Sequence, residues 1–575
     1  MENLAEKKVR SAVKELIKMP INSAKELMAA KRIIARKNNL AMLKNSDILK
    51  EYGAGKSGLS ASLRRLLRKR EVRTLSGIAP VAVLTMPYAC PGKCAYCPTE
   101  KDVPQSYLSN EPAVMRAIRC NYNPYLQVQL RLRALEANGH EPTKIELIVI
   151  GGTWSVLPEK YKYWFVKECF RAANEYTSAV ILTRRFGGEE SRIERANSRS
   201  FATLRMTMLN EQKKNEKAKY KIIGLTLETR PDYIDEKELW EMRELGCTRV
   251  ELGIQAIDDK ILKLNRRGHG VAAIIKATKL LKDFGFKVTY HLMPGLPGAT
   301  AKKDLVMFKT LFNDSRFQPD QIKFYPTVVT RGSLLYRWWK AGKYKPYGDK
   351  VLRQLIIDCK KAVPEYVRII RLIRDIPGES IMAGNKITNL RQVMADSGAE
   401  CRCIRCREPK ELRIKNYELR IKSYQASDGE EYFISVESKD KKVLYGFCRL
   451  RLSHNSYLIT HISQLATHNN ISISHNSQLT TRLNKKYGLL SDNPAIIREL
   501  HVYGELAPVG KAGRVQHSGL GKLLLAEAEK IARENGFKKM MIISGIGARG
   551  YYRKLGYRLN KTYMVKRIFA SQALK

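Results

Sequence analysis

The sequence lacks any apolar run of roughly 18 or more residues, so no segment predicts a membrane-spanning helix. It is also poor in acidic residues, because 56 Asp and Glu stand against 104 Lys and Arg, for a formal net charge of +48. That balance favours a polyanionic partner, since a basic protein that neutralises phosphates releases their counterions. Eleven cysteines in 575 residues do not form the disulfide framework of a secreted protein, and no apolar signal segment follows Met1. We therefore expect a cytoplasmic protein of several domains that does not associate with membranes.

Six of the eleven cysteines fall into two short clusters, and the first cluster has the clearest chemistry. The segment Cys90-Pro-Gly-Lys-Cys94-Ala-Tyr96-Cys97 has the spacing C-x3-C-x2-C. Four cysteines would fill a [4Fe–4S] cluster, whereas three leave one iron open to a small molecule. This pattern is typical of radical S-adenosylmethionine (SAM) enzymes, in which SAM occupies the open iron. The alternatives are a zinc site or chance clustering, but structural zinc sites add a second cysteine pair, and none follows within 20 residues.

Strand and helix patterns alternate from Val81 onward. Apolar runs predict strands at residues 81–85, 145–150, 222–227, 249–253, 287–291 and 321–325, with helices such as 125–137 and 236–245 between them. This alternation predicts an α/β fold in which a parallel sheet closes into a full or partial TIM-type barrel. The cysteine loop and the motifs at Gly151, Glu228 and Gln255 all follow strands. We therefore expect them around one mouth, at the C-terminal ends of the strands.

From about residue 430 the pattern becomes that of a compact α+β domain. Strands are expected at 432–436, 443–451, 496–503 and 541–544, and a helix at 522–535. The segment Gln516-His-Ser-Gly519-Leu520-Gly521 resembles the pyrophosphate loop of GNAT acetyltransferases. In such a loop, glycines let backbone N–H groups close on a diphosphate at a helix N-terminus. Alone, the loop also fits another kind of nucleotide-binding helix.

Two flanking elements favour the acetyltransferase interpretation. Residues 499–504 would form the strand that splays from its neighbour to hold the acetyl and pantetheine amides. The segment Tyr551-Tyr552-Arg-Lys-Leu-Gly556-Tyr557 would place a tyrosine beside the thioester sulfur. The three elements in this order indicate a GNAT domain rather than a plain nucleotide-binding helix.

These patterns divide the sequence into four regions. They are a basic helical region at 1–75, a radical SAM barrel at 76–400, a cysteine hinge and linker at 401–429, and a GNAT domain at 430–575. Residues 1–75 carry 19 basic and 7 acidic residues, which suits RNA phosphates, with a merely solvated helical face as the alternative. Segments at 183–218, 411–423 and 453–487 are polar or repetitive, and we expect them to loop out of the fold as insertions.

A radical SAM barrel joined to a GNAT domain by Cys401-Arg-Cys403-Ile-Arg-Cys406 is a rare combination. It resembles the catalytic subunit of Elongator, a family that modifies the wobble uridine of tRNA, in its single-chain archaeal or bacterial form. The likeness covers residues 60–182, 219–410 and 430–575. Further motifs that carry it are Val72-Arg-Thr-Leu-Ser-Gly77, Asn123-Pro-Tyr-Leu-Gln127, Ile148-Val-Ile-Gly-Gly-Thr153, Glu228-Thr-Arg-Pro-Asp232 and Arg266-Arg-Gly-His269.

The resemblance implies four sets of binding residues, and the basic charge of residues 1–75 favours a tRNA-binding role for that region. A [4Fe–4S] cluster would be held by Cys90, Cys94 and Cys97, and SAM by Gly151, Gly152, Thr153, Glu228, Arg230 and Gln255. Acetyl-CoA would contact Lys144, Glu499, Leu500, His501, Val502, Gln516, Gly519, Leu520, Gly521, Lys522 and Tyr552, with Lys144, Tyr551 and Tyr552 as catalytic residues. Zinc would bind Cys401, Cys403 and Cys406, with His140 as a candidate fourth ligand.

The resemblance also implies a reaction. Reductive cleavage of SAM gives a 5′-deoxyadenosyl radical, which takes hydrogen from the acetyl methyl of acetyl-CoA. The carbon radical adds to C5 of the uridine, and thioester hydrolysis leaves 5-carboxymethyluridine. The reaction needs tRNA and an electron donor, and the state of assembly, including a homodimer, stays open.

Two other interpretations compete with this reaction. The first is a protein lysine acetyltransferase with a structural iron–sulfur cluster, against which the basic charge argues. The second is an inactive tRNA-binding scaffold, against which the intact cysteine and glycine motifs argue.

Overall fold

The computed structural model describes residues 4–52, 60–68, 77–177, 200–387, 390–396, 398, 400–409, 416–453, 494–504 and 519–568. Within these ranges, none of the helices is both long enough and apolar enough to span a bilayer.

Four helices at the N-terminus form a small core of their own. They are α1 (Leu4–Ile17), α2 (Ala24–Lys37), α3 (Asn45–Tyr52) and α4 (Ala61–Leu67). The Ser23 hydroxyl caps α2 by accepting a hydrogen bond from the Glu26 N–H over 3.1 Å. Apolar side chains at helical spacing, including Val13, Leu16 and Ile34, bury one face of each helix, which leaves the basic side chains largely at the surface.

The middle of the chain alternates strands and helices. The elements are β1 (Ala79–Leu84), α5 (Pro112–Arg119), α6 (Pro124–Glu136), β2 (Lys144–Ile150), α7 (Glu159–Asn174), α8 (Phe201–Asn215), β3 (Lys221–Thr229), α9 (Glu236–Glu244), β4 (Arg249–Gln255), α10 (Asp259–Leu264), α11 (Val271–Asp283), β5 (Lys287–Leu292), α12 (Ala301–Asn313) and β6 (Gln321–Phe324). They continue with β7 (Val329–Thr330), α13 (Leu334–Lys340), α14 (Asp349–Ala362), β8 (Arg368–Arg371), β9 (Ile381–Ala383), α15 (Leu390–Asp396) and α16 (Ile404–Arg407).

Seven of these strands form one curled, parallel sheet in the order β1-β2-β3-β4-β5-β6-β8. In the described residues β1 and β8 do not pair, so the sheet is a partial barrel. The prediction of a parallel sheet in a full or partial barrel is thus confirmed in its partial form. Because all strands run the same way, the loops after them meet at one mouth.

Part of the expected insertion at 183–218 is ordered structure. The prediction is wrong for residues 201–215, which form α8 and pack against α7 through Leu204 and Met208. Gln212 is also buried, and its side-chain amide donates to the carbonyl of Glu244 over 2.9 Å. The buried face of α8 carries only two apolar residues, and amide side chains occupy the rest of it. The sequence therefore lacks the apolar periodicity that would have predicted a helix. Residues 178–199 lie outside the described residues.

The C-terminal part forms a second sheet. Its elements are β10 (Tyr417–Ala426), β11 (Gly429–Ser438), β12 (Leu444–Leu452), β13 (Ala495–Val502), α17 (Leu520–Glu534), β14 (Lys539–Ile542), α18 (Arg549–Arg553), β15 (Arg558–Asn560) and β16 (Tyr563–Arg567). The strand order is β10-β11-β12-β13-β14-β16-β15, and only β13 and β14 run parallel. Residues 417–423, expected in an insertion, instead pair with β11 as part of β10, so that prediction is also wrong. The expected insertion at 453–487 lies outside the described residues.

Buried ion pairs and apolar contacts join the two sheets. Arg498 on β13 donates to Asp320, with Nη1 3.0 Å from Oδ1, and Arg451 on β12 lies 2.5 Å from Asp283. All four side chains are almost fully buried. Ile496 packs into the same apolar core as the first sheet, so the two parts share one interior.

Candidate active site

The first cysteine triad (Cys90, Cys94 and Cys97) lies on a loop after β1, at the mouth of the partial barrel. Backbone hydrogen bonds hold this loop at its centre. The Ala95 N–H donates to the Asn265 carbonyl over 3.0 Å, and the Ala95 carbonyl accepts from the Leu335 N–H over 2.7 Å. The loop that carries the sulfur atoms is thus held in place by the protein's own backbone.

Neighbouring groups shift the acidity of these thiols. Hydrogen bonding to Cys97, and then the charge of Arg267, lower the pKa of Cys94 to about 5. The same hydrogen bond, together with burial, raises the pKa of Cys97. Because the thiolate is the form that binds a metal, the triad offers an iron ligand at neutral pH. The donor set therefore fits a [4Fe–4S] cluster bound by three cysteines.

A central cavity of about 500 Å³ opens beside the first cysteine triad. Its lining includes Gly152, Thr153, Glu228, Arg230 and Gln255, which are five of the six residues expected to hold SAM. The sixth, Gly151, lies against Thr85 and is outside this lining.

The expected SAM residues present polar atoms to the central cavity. Gln255 Oε1 and Arg230 Nη1 are buried without a hydrogen-bond partner in the described part of the chain. Glu228 accepts a hydrogen bond from the Tyr107 hydroxyl over 3.0 Å, and its other oxygen lies 3.5 Å from His291 Nδ1. Buried polar groups are normally satisfied, so Gln255 and Arg230 suit a polar ligand.

Charged side chains line the cavity below its mouth. Glu251 on β4 is fully buried, with His291 Nε2 2.9 Å from its carboxylate and the Lys323 ammonium in direct contact with it. Burial would raise the pKa of Glu251, but Lys323 and His291 outweigh burial and hold it well below its usual range. These groups alternate along β4, β5 and β6 with apolar residues, so the interior of the partial barrel is polar rather than a packed apolar core.

The lower end of the cavity reaches the second sheet, where Glu499, His501 and Tyr503 line it. Lys287 at the start of β5 lies 3.3 Å from Glu499, and Arg449 donates to the same carboxylate over 3.0 Å. Burial would raise the pKa of Glu499, but these two cations lower it to about 2. One cavity therefore connects the first cysteine triad with β13 of the second sheet.

The expected acetyl-CoA residues on β13 divide between the two faces of the strand. Side chains alternate along a strand, so Glu499 and His501 face the partial barrel. Leu500 and Val502 instead pack beside Tyr551, against the second core that contains Tyr552. β13 and β14 pair only from Ala495 to Ile497 and then separate, which is the splay expected of an acetyl-binding strand.

The expected diphosphate loop ends at the start of α17. Gly519 precedes this helix with φ +92°, a left-handed conformation that glycine adopts without strain. Leu520 is buried and Lys522 is exposed in the first turn, while Gly521 approaches the Tyr551 hydroxyl so closely that a Cβ there would lie 2.7 Å from it. Gln516 lies outside the described residues.

Lys144, expected to contact acetyl-CoA, is the first residue of β2, at the end of the sheet opposite the mouth. It is almost fully buried, and burial lowers its pKa to about 8. The adjacent strand, β3, packs at its start against the turn Ile546–Ala548 that precedes α18. Lys144 therefore lies on the side of the partial barrel that faces the second sheet.

The second cysteine triad (Cys401, Cys403 and Cys406) has a different geometry. Its three sulfur atoms lie within 4.8 Å of one another, as ligands of one ion require, since tetrahedral Zn–S bonds of about 2.3 Å separate the sulfurs by roughly 3.8 Å. The Ile404 N–H donates to the Val367 carbonyl over 2.9 Å, and Arg407 lies 2.8 Å from Glu437 on β11. This triad therefore sits between the last strand of the first sheet and the second sheet.

His140 is not part of the second triad. The group of convergent ligands found in the described residues contains the three cysteines alone. His140 instead follows α6, where its N–H donates to the Leu135 carbonyl over 3.0 Å. The expectation that it supplies a fourth ligand is wrong, because the turn after α6 belongs to a different part of the fold.

Sequence reasoning missed the charged interior of the cavity. Glu251, His291, Lys323 and Arg267 were not among the expected site residues, although all four line the cavity. The available signal was a polar or charged residue at every second position of an otherwise apolar strand, as in Arg249-Val-Glu251 and Lys287-Val-Thr-Tyr-His291. A buried parallel strand normally carries apolar residues at such positions.

The fold and this site together define a class of protein. Residues 84–308 match the model of the Radical SAM superfamily, residues 319–398 match the Radical SAM C-terminal domain, and residues 495–557 match the Acetyltransferase (GNAT) family. The chain is thus a radical SAM domain followed by a GNAT acetyltransferase domain.

Curated relatives identify the family. A "tRNA uridine(34) acetyltransferase" of Dehalococcoides mccartyi is 42% identical over 511 residues, which cover 87% of this chain and 100% of the relative. "Elongator complex protein 3" of Homo sapiens is 37% identical, over 87% of this chain and 86% of the relative. A solved structure of Methanocaldococcus infernus Elp3 with an N-terminal deletion aligns with a TM-score of 0.65 and 36% identity, covering 85% of this chain and 99% of that one. This chain belongs to the family of tRNA uridine(34) acetyltransferase and Elongator complex protein 3.

Proposed function

We propose that this protein uses SAM and acetyl-CoA to form 5-carboxymethyluridine at the wobble uridine of tRNA. The central cavity carries the proposal, because it joins the first cysteine triad to the acetyl-binding strand of the GNAT domain. A protein with two independent activities would not need to connect them. The substrate class comes from the relatives, which are named for acetyl transfer to uridine 34 of tRNA.

In this proposal the first cysteine triad holds a [4Fe–4S] cluster with one iron open to SAM. When bound there, the cluster would supply the one-electron reducing chemistry that a radical SAM reaction needs. Among the described residues, Gln255 and Arg230 have buried polar atoms without hydrogen-bond partners, and we propose that they orient SAM with Gly152 and Glu228. Gly151 would act through the backbone of the same turn.

Acetyl-CoA binds between β13 and α17. The residues Gln516, Gly519, Leu520, Gly521 and Lys522 would hold its diphosphate at the helix N-terminus. Leu500, Val502 and Tyr552 would hold the pantetheine arm, with Tyr551 and Lys144 close to the thioester. Glu499 and His501 would contact acetyl-CoA at the lower end of the central cavity, which their side chains line.

The second cysteine triad would bind zinc as a structural ion. Its sulfur atoms converge on one point, and its neighbours Ile404 and Arg407 bond to both sheets. The ion would fix the angle between the two domains and so keep the central cavity continuous.

The tRNA would lie against the basic N-terminal helices and the mouth of the partial barrel. The net charge of +48 supplies the attraction for its phosphates, and binding should weaken steeply as salt rises.

Three further predictions belong to the proposal. The chain divides into regions 1–75, 76–400, 401–429 and 430–575. An external donor supplies the electron, and the protein acts in the cytoplasm.

The test is a reconstitution under anaerobic conditions with iron, sulfide, SAM, dithionite, acetyl-CoA and tRNA, followed by mass spectrometry of the nucleosides. We expect 5-carboxymethyluridine from the unmodified chain and none from Cys94→Ala. Cys120→Ala is the matched control, because Cys120 is a buried cysteine outside the cavity lining, and we expect it to form product. Absence of product from a chain that holds four irons would refute the proposal, and acetylated lysine peptides in its place would favour a protein acetyltransferase.

A second variant tests the connection itself. Ile148 on β2 lines the middle of the cavity, so Ile148→Trp should block it without changing either end. We expect normal iron content and normal cleavage of SAM to 5′-deoxyadenosine, but a loss of modified uridine. Unchanged product formation would show that the central cavity does not connect the two reactions.

A further inference from the structure

Arg267, from the motif Arg266-Arg-Gly-His269, reaches the first cysteine triad from the loop after α10. Its side chain is only 6% exposed, and Nη1 donates to Cys94 Sγ over 3.3 Å. Nη2 donates to the Gly253 carbonyl at the end of β4. A Cβ on Gly253 would lie 2.8 Å from that nitrogen, so glycine leaves the room that the guanidinium occupies. The head group is therefore held against one sulfur atom by a fixed backbone acceptor.

The loop that carries Arg267 also holds the cysteine loop. The Asn265 carbonyl accepts the Ala95 N–H over 3.0 Å, between two of the three cysteines. The Arg267 carbonyl accepts from Arg230 Nη2 over 2.9 Å. These contacts fix the distance between the Arg267 guanidinium and the sulfur ligands.

The positive charge of Arg267 is paired with sulfur rather than with a carboxylate. In the part of the chain that the structure describes, no carboxylate forms an ion pair with Arg267, and its buried Nε has no hydrogen-bond partner. Arg230 beside it is different, because Asp232 accepts hydrogen bonds from its Nε over 3.0 Å and its Nη2 over 2.7 Å. A buried cation without an opposite charge is costly. The anionic sulfur site is therefore the counterion of Arg267.

We propose that Arg267 is a positioning residue that raises the reduction potential of the iron–sulfur cluster. Reduction adds one negative charge to a site whose sulfur ligands are already anionic. A hydrogen bond and a full positive charge at Cys94 stabilise that reduced state more than the oxidised state. This inference rests on the proposed role of the first cysteine triad as the ligand of the cluster.

The test measures the potential rather than the activity. The full chain and the variant Arg267→Gln are reconstituted with iron and sulfide, and the reduced cluster is followed by electron paramagnetic resonance during a redox titration without SAM. We expect the ratio of reduced to oxidised cluster at a fixed potential to fall about tenfold, which corresponds to a midpoint ~59 mV lower for a one-electron couple. Arg267→Lys, which keeps the charge but cannot bond both acceptors, should lie between the two.

Arg266→Gln is the matched control, because it removes the same charge from the neighbouring residue, whose side chain is exposed. Its midpoint should equal that of the unmodified chain. An Arg267→Gln protein with four irons and an unchanged midpoint would overturn the inference. An unmodified chain that binds no cluster would instead refute the proposed function.

If Arg267→Gln binds no iron, its midpoint potential cannot be measured, and a second neutral variant is needed. Arg267→Met is then measured in its place. If neither neutral variant assembles a cluster, assembly of Arg267→Lys with a midpoint that is lower than that of the unmodified chain by less than ~59 mV supports the inference. Failure of all three variants counts against it, because Arg267 would then be required for the folding of the loop and not for the potential.

Discussion

The two cysteine triads have nearly the same sequence pattern, C-x3-C-x2-C and C-x-C-x2-C, but they occupy different environments. The first lines the central cavity, where Cys94 accepts a hydrogen bond from the buried cation Arg267. The second lies outside the cavity lining, and its sulfur atoms converge within 4.8 Å next to residues that bond to both sheets. A cluster spreads its ligands over several irons, whereas one ion draws them together. The two geometries therefore suit the two proposed roles, a cluster open to a substrate at the first triad and a structural ion at the second.

Removing one cysteine from each triad should separate these roles with the largest effects. We expect Cys94→Ala to lose all cluster iron and all product, while its free energy of unfolding falls by less than that of Cys403→Ala. We expect Cys403→Ala to lose one bound ion and about 3 kcal/mol or more of stability, because the binding energy of a structural metal is folding energy. Metal analysis and urea unfolding measure both. The comparison would fail if both variants lost the same metal, or if Cys94→Ala were the less stable of the two.

The buried ion pairs that join the two sheets form a junction between them. Breaking one of these pairs should have the same effect on stability as loss of the second triad. Asp320→Asn leaves Arg498 buried without its main counterion, and we expect the free energy of unfolding to fall by about 3–5 kcal/mol, while cluster iron is retained. Asp314→Asn, only six residues earlier, removes an ion pair with the exposed Arg316 and should change stability little. Urea unfolding of the two variants gives the comparison. Equal stabilities would mean that the buried pair does not hold the junction.

The smallest expected effect is the pH dependence of the junction. Burial would raise the pKa of Glu431, but Arg498 and Lys282 lower it to about 2, and Glu499 is lowered to about 2 as well. A carboxyl group with a depressed pKa stabilises the fold above its ordinary value of 4.5 and loses that contribution as pH falls towards 2. Stability should therefore decrease through this window, and the decrease should be shallower in Glu431→Gln. An identical pH profile for that variant would contradict the assignment.

Local chemistry made much of the site predictable. The cysteine loop, the glycine at position 519 and the two tyrosines at 551 and 552 each have a short pattern of residue types that one kind of chemistry requires. The parallel partial barrel was predictable for a similar reason, because apolar runs and helical periods alternate along the chain. The residues that follow those strands then had to meet at one mouth.

Elements whose partners are distant in sequence were not predictable. Helix α8 has few apolar residues on its buried face, because buried amides complete its packing there. Glu251 and Lys323 form an ion pair only because the sheet curls and brings β4 and β6 around a common axis. His140 was assigned to the wrong site because nothing in its local sequence reveals which turn lies beside the hinge.

The sequence by itself determined the two chemistries of this protein, since three cysteines for a cluster and a glycine loop for a diphosphate are set by spacing along the backbone. Only the tertiary structure decided that one cavity joins them, that Arg267 faces Cys94, and that Glu499 and His501 point away from Leu500 and Val502. The physical reason is distance along the chain. Contacts between residues far apart in sequence depend on how strands twist and sheets pack, and no short pattern encodes them.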